Sequence, residues 1–388
     1  RHARTADNAV MKRKKKKRSK TKNTNIIKAV TMLVAALCFA FLTAVLVTIL
    51  KRVPGFTNGI YTKWSVFAMH TLANFFSFVK FSVAEVLIYI LSVIFLSSLV
   101  ILIVNLIKKK HRVTRIFKFI TAWMLVFSVT AFLFYALWGG MYYSKGIGNY
   151  LPVNSEDIKE RPVEELVNLN KYLIEKTNRL AAEVPRNQQG YYTGYEFQRT
   201  AAFTAKEVSK ITGKEEAPPK YVVSSDAWSY TQTTGIFIFL TGEANINKNN
   251  LAIALPFTCA HELAHRNGIT SEDEANFFAF YSLHNSANIN LRYSAYAMTL
   301  MYTMNSLYSK DAAAHKELAS TYCDLLKHDY IRYHEHWDRY EGKTSEISDK
   351  VNDTYLKAQG QSDGIYSYGR VTDIMLAWYE NDIVKNKK

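Results

Sequence analysis

Three long apolar runs dominate the first part of the chain. They cover residues 29–50, 81–107 and 119–143, and Glu85 is the only acidic or basic residue within them. Each run exceeds the roughly 20 residues that an α-helix needs to cross a bilayer. The pattern therefore predicts three transmembrane helices. A signal peptide is the alternative for residues 29–50, but that run is too long for an ordinary signal-peptide core and two further spans follow.

Beyond residue 143 the pattern changes to shorter segments that mix polar and apolar positions. Leucines recur at helical spacing between residues 162 and 182, and helical patterns dominate again from residue 274 to about 356. Residues 235–240 form a β-rich run that Thr241 and Gly242 close. We predict residues 243–247 as a polar loop that lines a cleft. The expected fold class is α+β, mainly helical.

The charge is spread unevenly along the chain. Residues 1–143 hold 22 basic and 2 acidic residues, whereas residues 144–388 hold 27 and 31. The basic excess lies in the half that contains the apolar runs, so nucleic-acid binding is not indicated. We predict a basic cytoplasmic tail (1–28), a membrane domain (29–143) and an extracytoplasmic domain (144–388). We take Met11 as the initiator, with residues 1–10 lying before the natural start.

The basic flanks set the expected orientation. Residues 11–20 and 108–118 are strongly basic, and such segments stay in the cytoplasm. This predicts a multi-pass protein of the cytoplasmic membrane with a cytoplasmic N-terminus and residues 144–388 outside. The tail is explained as an orientation signal, with binding to anionic lipid as the alternative. Residues 54–80 are aromatic-rich and too broken for a fourth span, so we expect them at the outer membrane surface.

The segment His261-Glu262-Leu263-Ala264-His265 carries the clearest chemistry. On a helix, positions i and i+4 share a face, so both imidazoles can bind one metal ion. Glu262 then lies beside that ion and can take a proton from water. An apolar run precedes the motif, Pro256 suits a first helical turn and Gly268 suits the position after the end. We predict a buried helix from about 256 to 267 that binds Zn²⁺.

A third ligand is expected in the next segment. Ser271 and Glu274 fit a capping box that starts a second helix, which gives Glu274 a structural role. Glu272 and Asn276 are i and i+4 and resemble the Glu-x-x-x-Asp element of gluzincin zinc peptidases. That resemblance implies that Glu272 is the third ligand and that Asn276 supports a ligand histidine, although Asn replaces Asp. Glu274 is the alternative ligand. The metzincin pattern fails because Ser271 stands where that family needs a ligand.

Two further elements could contribute to peptide hydrolysis. The strand at residues 235–240 lies directly upstream of the motif and could pair with an extended substrate, or it could be an ordinary core strand. Near the C-terminus, Tyr368 and Arg370 could stabilise the negative charge that develops on the tetrahedral oxygen, with Asp373 orienting Arg370. The alternative for Tyr368, Arg370 and Asp373 is a turn with a structural Arg–Asp pair.

Cysteines and the remaining histidines add little. Cys259 suits a small buried core position, and a Cys259–Cys323 disulfide is possible in an exported domain, but three cysteines make no framework. No metal role is assigned to the scattered histidines, which are His284, His315, His328, His334 and His336.

The chain as a whole resembles a family of bacterial membrane proteins of unassigned function that combine N-terminal spans with a HELAH-type zinc motif and an EDEAN-type helix. The matching residues are 261–265 and 272–276, with further likeness in SVAEV from Ser82, TGEANIN from Thr241 and SYGRV from Ser367. The resemblance implies a zincin-like peptidase domain and brings no substrate. More distantly, the chain is similar to integral-membrane gluzincins.

The sequence thus favours a membrane-anchored zinc metalloendopeptidase that acts on a protein or peptide substrate at the outer face of the membrane. Its expected partners are membrane lipid and that substrate. The alternative is a membrane sensor or assembly protein with a non-catalytic zinc site. A purely structural zinc would have four protein ligands and no need for Glu262. Cleavage within the bilayer is not expected, because the motif helix is not one of the three apolar runs.

Overall fold

The computed structural model of the chain describes residues 2–108, 112–151, 158–159, 161–358 and 368–385. The described part is mainly helical with a small sheet, which confirms the predominance of helix. It divides into two compact units. One comprises residues 1–53 and 86–140, and the other comprises residues 54–85 and 141–388. The three-part domain division predicted from the sequence remains a prediction.

The first unit is built from long apolar helices. They are α1 (His2–Arg52), the greater part of α4 (Val83–Ile107) and α5 (Arg112–Leu137). Asn23–Arg52 of α1 and all of α4 and α5 are long and apolar enough to cross a membrane, as the three apolar runs predicted. The bounds of the third differ, since the helix is Arg112–Leu137 rather than 119–143, because it starts within the basic segment and ends before the glycine pair at 139–140. Within the unit, Phe39 packs on Phe132 with ring centroids 5.6 Å apart, and Trp123 Nε1 donates to Ser98 Oγ. The three helices indicate a membrane protein. Which side of the membrane the two termini face stays a prediction.

The second unit contains the shorter helices and the sheet. Its core is rich in fully buried aromatic side chains, among them Phe277, Phe278 and Phe280. Helical elements of this unit are α2 (Pro54–Phe56), the π-helix Thr57–Tyr61, α3 (Thr62–Phe75), the 3₁₀ turns Gly139–Tyr143 (from Met141 on) and Gly146–Asn149, α6 (Val163–Glu183), α7 (Phe197–Thr212), α8 (Ser225–Ser229), α9 (Leu255–Arg266), α10 (Glu272–Leu283), α11 (Ile289–Lys310), α12 (Ala312–Ser320), α13 (Asp324–Asp338), α14 (Lys343–Ala358), α15 (Tyr368–Trp378) and the π-helix Tyr379–Val384.

The sheet has three short strands in the order β1-β3-β2, where β1 is Lys220–Tyr221, β2 is Gly235–Ile238 and β3 is Glu243–Ile246. β3 runs parallel to β1 and antiparallel to β2, with Gly235 opposite Ile246. β3 is therefore the central strand and is buried throughout. The prediction of a polar loop at residues 243–247 is wrong. Glu243 can be buried because it forms an ion pair with Lys220, which is distant in sequence. The pattern of neighbouring residues does not reveal such a partner.

The segment between the first two apolar runs packs into this second unit. Phe81 pairs in parallel with Tyr221, and the Ser82 amide donates to the Tyr221 carbonyl at 2.9 Å. The Glu243 carboxylate accepts from the Ala84 amide at 2.8 Å, at the N-terminus of α4. An acid at this position satisfies free N–H groups and the positive end of the helix dipole. Two segments that sequence likeness had singled out separately, SVAEV and TGEANIN, are thus in direct contact.

Glu85, the lone acid of the second apolar run, has a structural explanation. It lies in the first turn of α4 and is buried. Its carboxylate accepts from the backbone amides of Val223 and Ser224 at 2.6 and 2.8 Å and from the Ser224 hydroxyl. A buried carboxylate with several donors is well satisfied. Glu85 therefore fastens the start of α4 to the loop that follows β1.

The motif helix α9 agrees with its prediction to within one residue at each end. Pro256 stands in its first turn, where a missing N–H costs nothing. Every residue of α9 except His261 is buried. Gly268 follows the helix with φ +85°, and a Cβ there would lie 1.9 Å from the Met141 methyl group. The positive φ requires glycine here, and a larger residue would also displace the end of the Met141 side chain.

Candidate metal centre

Three side chains from two successive helices converge at one point. His261 and His265 of α9 approach each other with their Nε2 atoms 3.1 Å apart. Glu272, the first residue of α10, places Oε2 at 3.1 Å from His261 Nε2 and Oε1 at 3.7 Å from His265 Nε2. Ligands of a tetrahedral Zn²⁺ with bonds of about 2.0–2.1 Å lie roughly 3.3 Å apart. The observed separations therefore match what one such ion would require.

The two imidazoles are oriented by hydrogen bonds behind the cluster. His261 Nδ1 lies 2.9 Å from Asn276 Oδ1, and His265 Nδ1 lies 2.7 Å from the Ile269 carbonyl oxygen. Both partners accept, so these bonds assign the proton of each ring to Nδ1. A neutral ring with its proton on Nδ1 would present the Nε2 lone pair to an ion at the convergence point. Asn276 supplies the acceptor that orients the His261 ring.

Glu262 is buried next to this cluster, beneath the edge strand of the sheet. The Phe237 backbone N–H of β2 donates to its carboxylate, and a Cβ on Gly235 would lie 2.7 Å from Oε1. Among the described residues none bonds to the other oxygen, Oε2, which is fully buried. Burial raises the pKa of Glu262 to about 8, although the charge of His261 opposes this. A buried carboxyl oxygen without a partner marks a site that lacks one participant.

The charges of the cluster compensate one another. Burial would lower the pKa of His261, but the hydrogen bond and charge of Glu272 outweigh it and raise that pKa. Burial would raise the pKa of Glu272, but the two histidines lower it. The cluster therefore combines a carboxylate with positive charge in a confined place, which is the balance that a bound cation also provides.

Glu274, the alternative ligand, faces away from the histidines. Its Oε2 accepts from the Ile147 amide at 3.0 Å, and a Cβ on Gly146 would lie only 2.1 Å from that oxygen. Ser271 is the N-cap residue of α10, as expected, but its side chain makes no capping hydrogen bond. The predicted capping box is therefore wrong. Glu274 instead holds the 3₁₀ turn Gly146–Asn149, a partner that lies more than 120 positions away in sequence.

The C-terminal residues that could act as donors lie on α15 rather than in a turn. The Tyr368 side chain is outside the part of the chain that the structure describes. Arg370 is largely exposed, and its Nη2 lies 3.9 Å from Glu274 Oε1. Asp373 is one turn further along α15 and half-buried. Arg370 is thus connected to α10, and its role in catalysis stays a prediction together with those of Tyr368 and Asp373.

A buried polar network holds the C-terminal end of α9, and sequence reasoning missed it. Arg266 donates to Glu216 at 3.2 Å and to the backbone carbonyls of Gly242 and Ala217. Asn267 Nδ2 donates to the same Glu216 at 2.6 Å, and its Oδ1 lies 3.2 Å from His70 Nε2 of α3. The only available signal was an arginine beside an apolar motif helix. This network holds the end of the helix that carries His261 and His265.

The cysteines are free in the described structure. Cys259 is completely buried against Ile246 and Leu255, which confirms the prediction of a core residue. Cys323 and Cys259 do not form a disulfide here. Among the described residues, the His261–His265–Glu272 group is the one cluster whose spacing suits a metal ion, and no other histidine belongs to it.

The chain therefore combines three apolar helices with a mainly helical unit that carries an HExxH helix and an acid from the following helix. Residues 56–376 match the model of the family described as "Protein of unknown function (DUF3810)", and the chain belongs to that family. No curated protein and no solved structure matches the chain. Membership in a family of unassigned function agrees with the resemblance drawn from the sequence, and the match carries no information on zinc or peptidase activity.

Proposed function

We propose that the protein is a membrane-anchored zinc metallopeptidase that hydrolyses peptide bonds of a protein or peptide substrate at the outer face of the cytoplasmic membrane. The observation that carries the proposal is the convergence of His261, His265 and Glu272 beside the buried Glu262. On this proposal the site is gluzincin-like and the domain that carries it is zincin-like.

The donor set fits zinc. Two imidazole nitrogens and a carboxylate are ligands that zinc commonly accepts, and their separations of 3.1 to 3.7 Å suit one ion. The described structure adds no fourth histidine, cysteine or acid to the group. Three protein ligands with one open position are typical of catalytic sites, whereas structural zinc sites are closed by four.

Peptide hydrolysis needs an activated water and a polarised carbonyl. Zinc at this site would supply a Lewis acid that lowers the pKa of water and polarises the scissile carbonyl. Glu262 would take the proton from the attacking water and return it to the leaving amine, since its free Oε2 lies beside the cluster. Tyr368 or Arg370 would stabilise the developing oxyanion if α15 approaches the substrate.

The edge strand β2 supports an extended substrate. β2 pairs with β3 on one side, and its other side is the edge of the sheet. Ile236 is exposed on this strand, and the neighbouring Phe237 amide contacts Glu262. A substrate strand added along this edge would pass the general base. The sequence had left edge strand and core strand open, and the edge position favours the former.

The test is Glu262→Gln in the full-length protein. We expect this variant to retain zinc, measured by elemental analysis, and to lose cleavage of a peptide library by a factor of about 10³ or more. Glu274→Gln is the matched control on the next helix and should keep both zinc and cleavage.

Two outcomes decide against the proposal. If the wild type binds zinc but the Glu262→Gln variant cleaves peptides at the same rate as the wild type, the site is not catalytic. The sensor or assembly function is then favoured. If the wild type purifies without zinc and takes up none on titration, the metal assignment itself is wrong.

A further inference from the structure

Helix α3 has two apolar faces, one buried and one largely exposed within the described part of the chain. The inner face is buried against the rest of the second unit and includes Val66, Met69, His70 and Ala73. The outer face carries large apolar side chains that are 49 to 78% exposed, when the residues flanking α3 are included: Ile60, Trp64, Phe67, Phe75 and Phe78. Trp64, Phe67 and Phe75 lie on α3 itself and fall within one arc of the helix at 100° per residue, whereas Ile60 and Phe78 belong to the segments on either side of it. Thr71 lies in the same arc with its hydroxyl bonded to the Phe67 carbonyl, so the apolar side chains form a stripe that includes one satisfied polar residue.

An apolar stripe of this kind is expected to be shielded from water by another molecule. Aromatic and aliphatic side chains exposed together on a soluble surface are unusual and mark a binding surface. Lys63 is the only charged residue of α3, and it is exposed. Apolar and aromatic side chains next to a basic residue are the composition of helices that lie in a membrane interface.

The chain itself indicates what covers the stripe. α3 begins ten residues after Arg52, where the first candidate span ends, and finishes eight residues before Val83, where the second begins. Two consecutive spans joined by so short a segment leave and re-enter the bilayer at the same surface. Residues 53–82 are therefore tethered to that surface at both ends, which makes lipid the nearest apolar phase.

We propose that α3 lies in the plane of the membrane interface, with Trp64, Phe67, Phe75 and Phe78 in the lipid. The inner face of α3 contacts the end of the motif helix, because His70 hydrogen-bonds to Asn267 there. Asn267 follows His265 by two residues, a rise of about 3 Å along a helix. The metal-facing histidines are thus held close to the lipid surface. This arrangement does not depend on the proposed peptidase chemistry.

A second contact ties α3 to the same region. A Cβ on Gly242, between β2 and β3, would lie 2.2 Å from the Met69 carbonyl oxygen. Glycine at 242 lets the backbones of α3 and of the sheet touch. α3 therefore packs on the rest of the unit through its inner face. With lipid on the outer face, both apolar faces of the helix are removed from water.

The test measures lipid exposure of the stripe in the full-length protein, reconstituted in nanodiscs of phosphatidylcholine and phosphatidylglycerol. Single cysteines at Phe67, Phe75 and Phe78 carry nitroxide labels in a background in which Cys38, Cys259 and Cys323 are replaced by alanine. The matched controls are Ile331 and Ile347, which are 53% and 62% exposed on α13 and α14. Collisions with oxygen, which enters lipid, are compared with those of a water-soluble nickel complex.

We expect the three stripe labels to collide more often with oxygen than with the nickel complex, and the two control labels to show the reverse. Stripe labels with the same nickel accessibility as the controls would mean that α3 faces water and would overturn the proposal. Stripe labels shielded from both reagents would show a protein cover, such as a second copy of the chain, and would also overturn it.

A second measurement needs no cysteine replacement. Lipids brominated near the headgroup quench tryptophans at the interface, so the Trp64→Phe variant should lose the share of quenching that Trp64 contributes. Equal quenchable fluorescence in the wild type and this variant would place Trp64 outside the lipid and contradict the proposal.

Discussion

Gly235 of the edge strand lies directly against Glu262 of the motif helix, so closely that a Cβ on Gly235 would be 2.7 Å from Oε1. The strand thereby sets the position of the proposed general base, and the absence of a side chain at 235 is what permits the contact.

Gly235→Ala should therefore impair turnover more than it impairs zinc binding. The added methyl group displaces the Glu262 carboxylate, while the histidines on the same helix keep their own hydrogen bonds. We expect kcat to fall about tenfold or more and stability by about 1–3 kcal/mol. Gly342→Ala is the control, since a Cβ there meets nothing within 4 Å. Unchanged kcat in Gly235→Ala would separate Glu262 from the chemistry.

Glu272 and Glu274 should behave differently when each is changed to alanine. Glu272→Ala removes one of three converging ligands and should abolish stoichiometric zinc binding. Glu274→Ala leaves the Ile147 amide without its acceptor and should lower stability by about 1–3 kcal/mol while zinc stays bound. Zinc content and thermal unfolding of the two variants measure both effects. Loss of zinc in Glu274→Ala alone would reverse the ligand assignment.

Asn276 should tune metal affinity through His261. Asn276→Ala removes the acceptor 2.9 Å from Nδ1, and the expected cost is about 10–100-fold in zinc affinity. Asn276→Asp restores an acceptor with a charge and should bind zinc at least as tightly as the wild type. Competition with a chromophoric chelator gives the three affinities. Equal affinities for all three proteins would show that this contact does not orient the ligand.

Arg266 should matter for stability far more than an exposed arginine does. Arg266→Ala leaves the buried Glu216 carboxylate without its charged partner, at an expected cost of about 3–5 kcal/mol. Arg179, whose pair with Glu175 is exposed on α6, is the control, and its alanine variant should lose about 0–1 kcal/mol. Thermal unfolding of the detergent-solubilised chain compares them. A small effect at Arg266 would mean that the network does not hold α9.

Chelation should destabilise the wild type reversibly. A ligand that binds only the folded state stabilises it by about 2.7 kcal/mol at a hundredfold excess over Kd, so removing zinc should lower the unfolding temperature and adding it back should restore it. The Glu272→Ala variant serves as the internal reference, because without the third ligand it should be insensitive to the same treatment. A wild type that is equally insensitive would argue against a bound metal.

Periodicity and spacing determined much of this molecule. The apolar runs predicted three spanning helices, and the i,i+4 placement of His261 and His265 put two imidazoles on one helix face. Pro256 and Gly268 bounded the motif helix to within a residue. These features follow from local geometry, since helix length, helix face and helix ends are written in neighbouring residues.

The tertiary structure alone decided where the acids point and which backbone is buried. Glu274 bonds to Ile147, Glu243 is buried beside Lys220, and Arg266 meets Glu216, in each case across many positions of the chain. A single sequence contains the residues of such pairs but not their distances. Long-range partners decide whether a polar side chain is a ligand, a cap or a buried ion pair, and they arise only when the helices and the sheet have packed together.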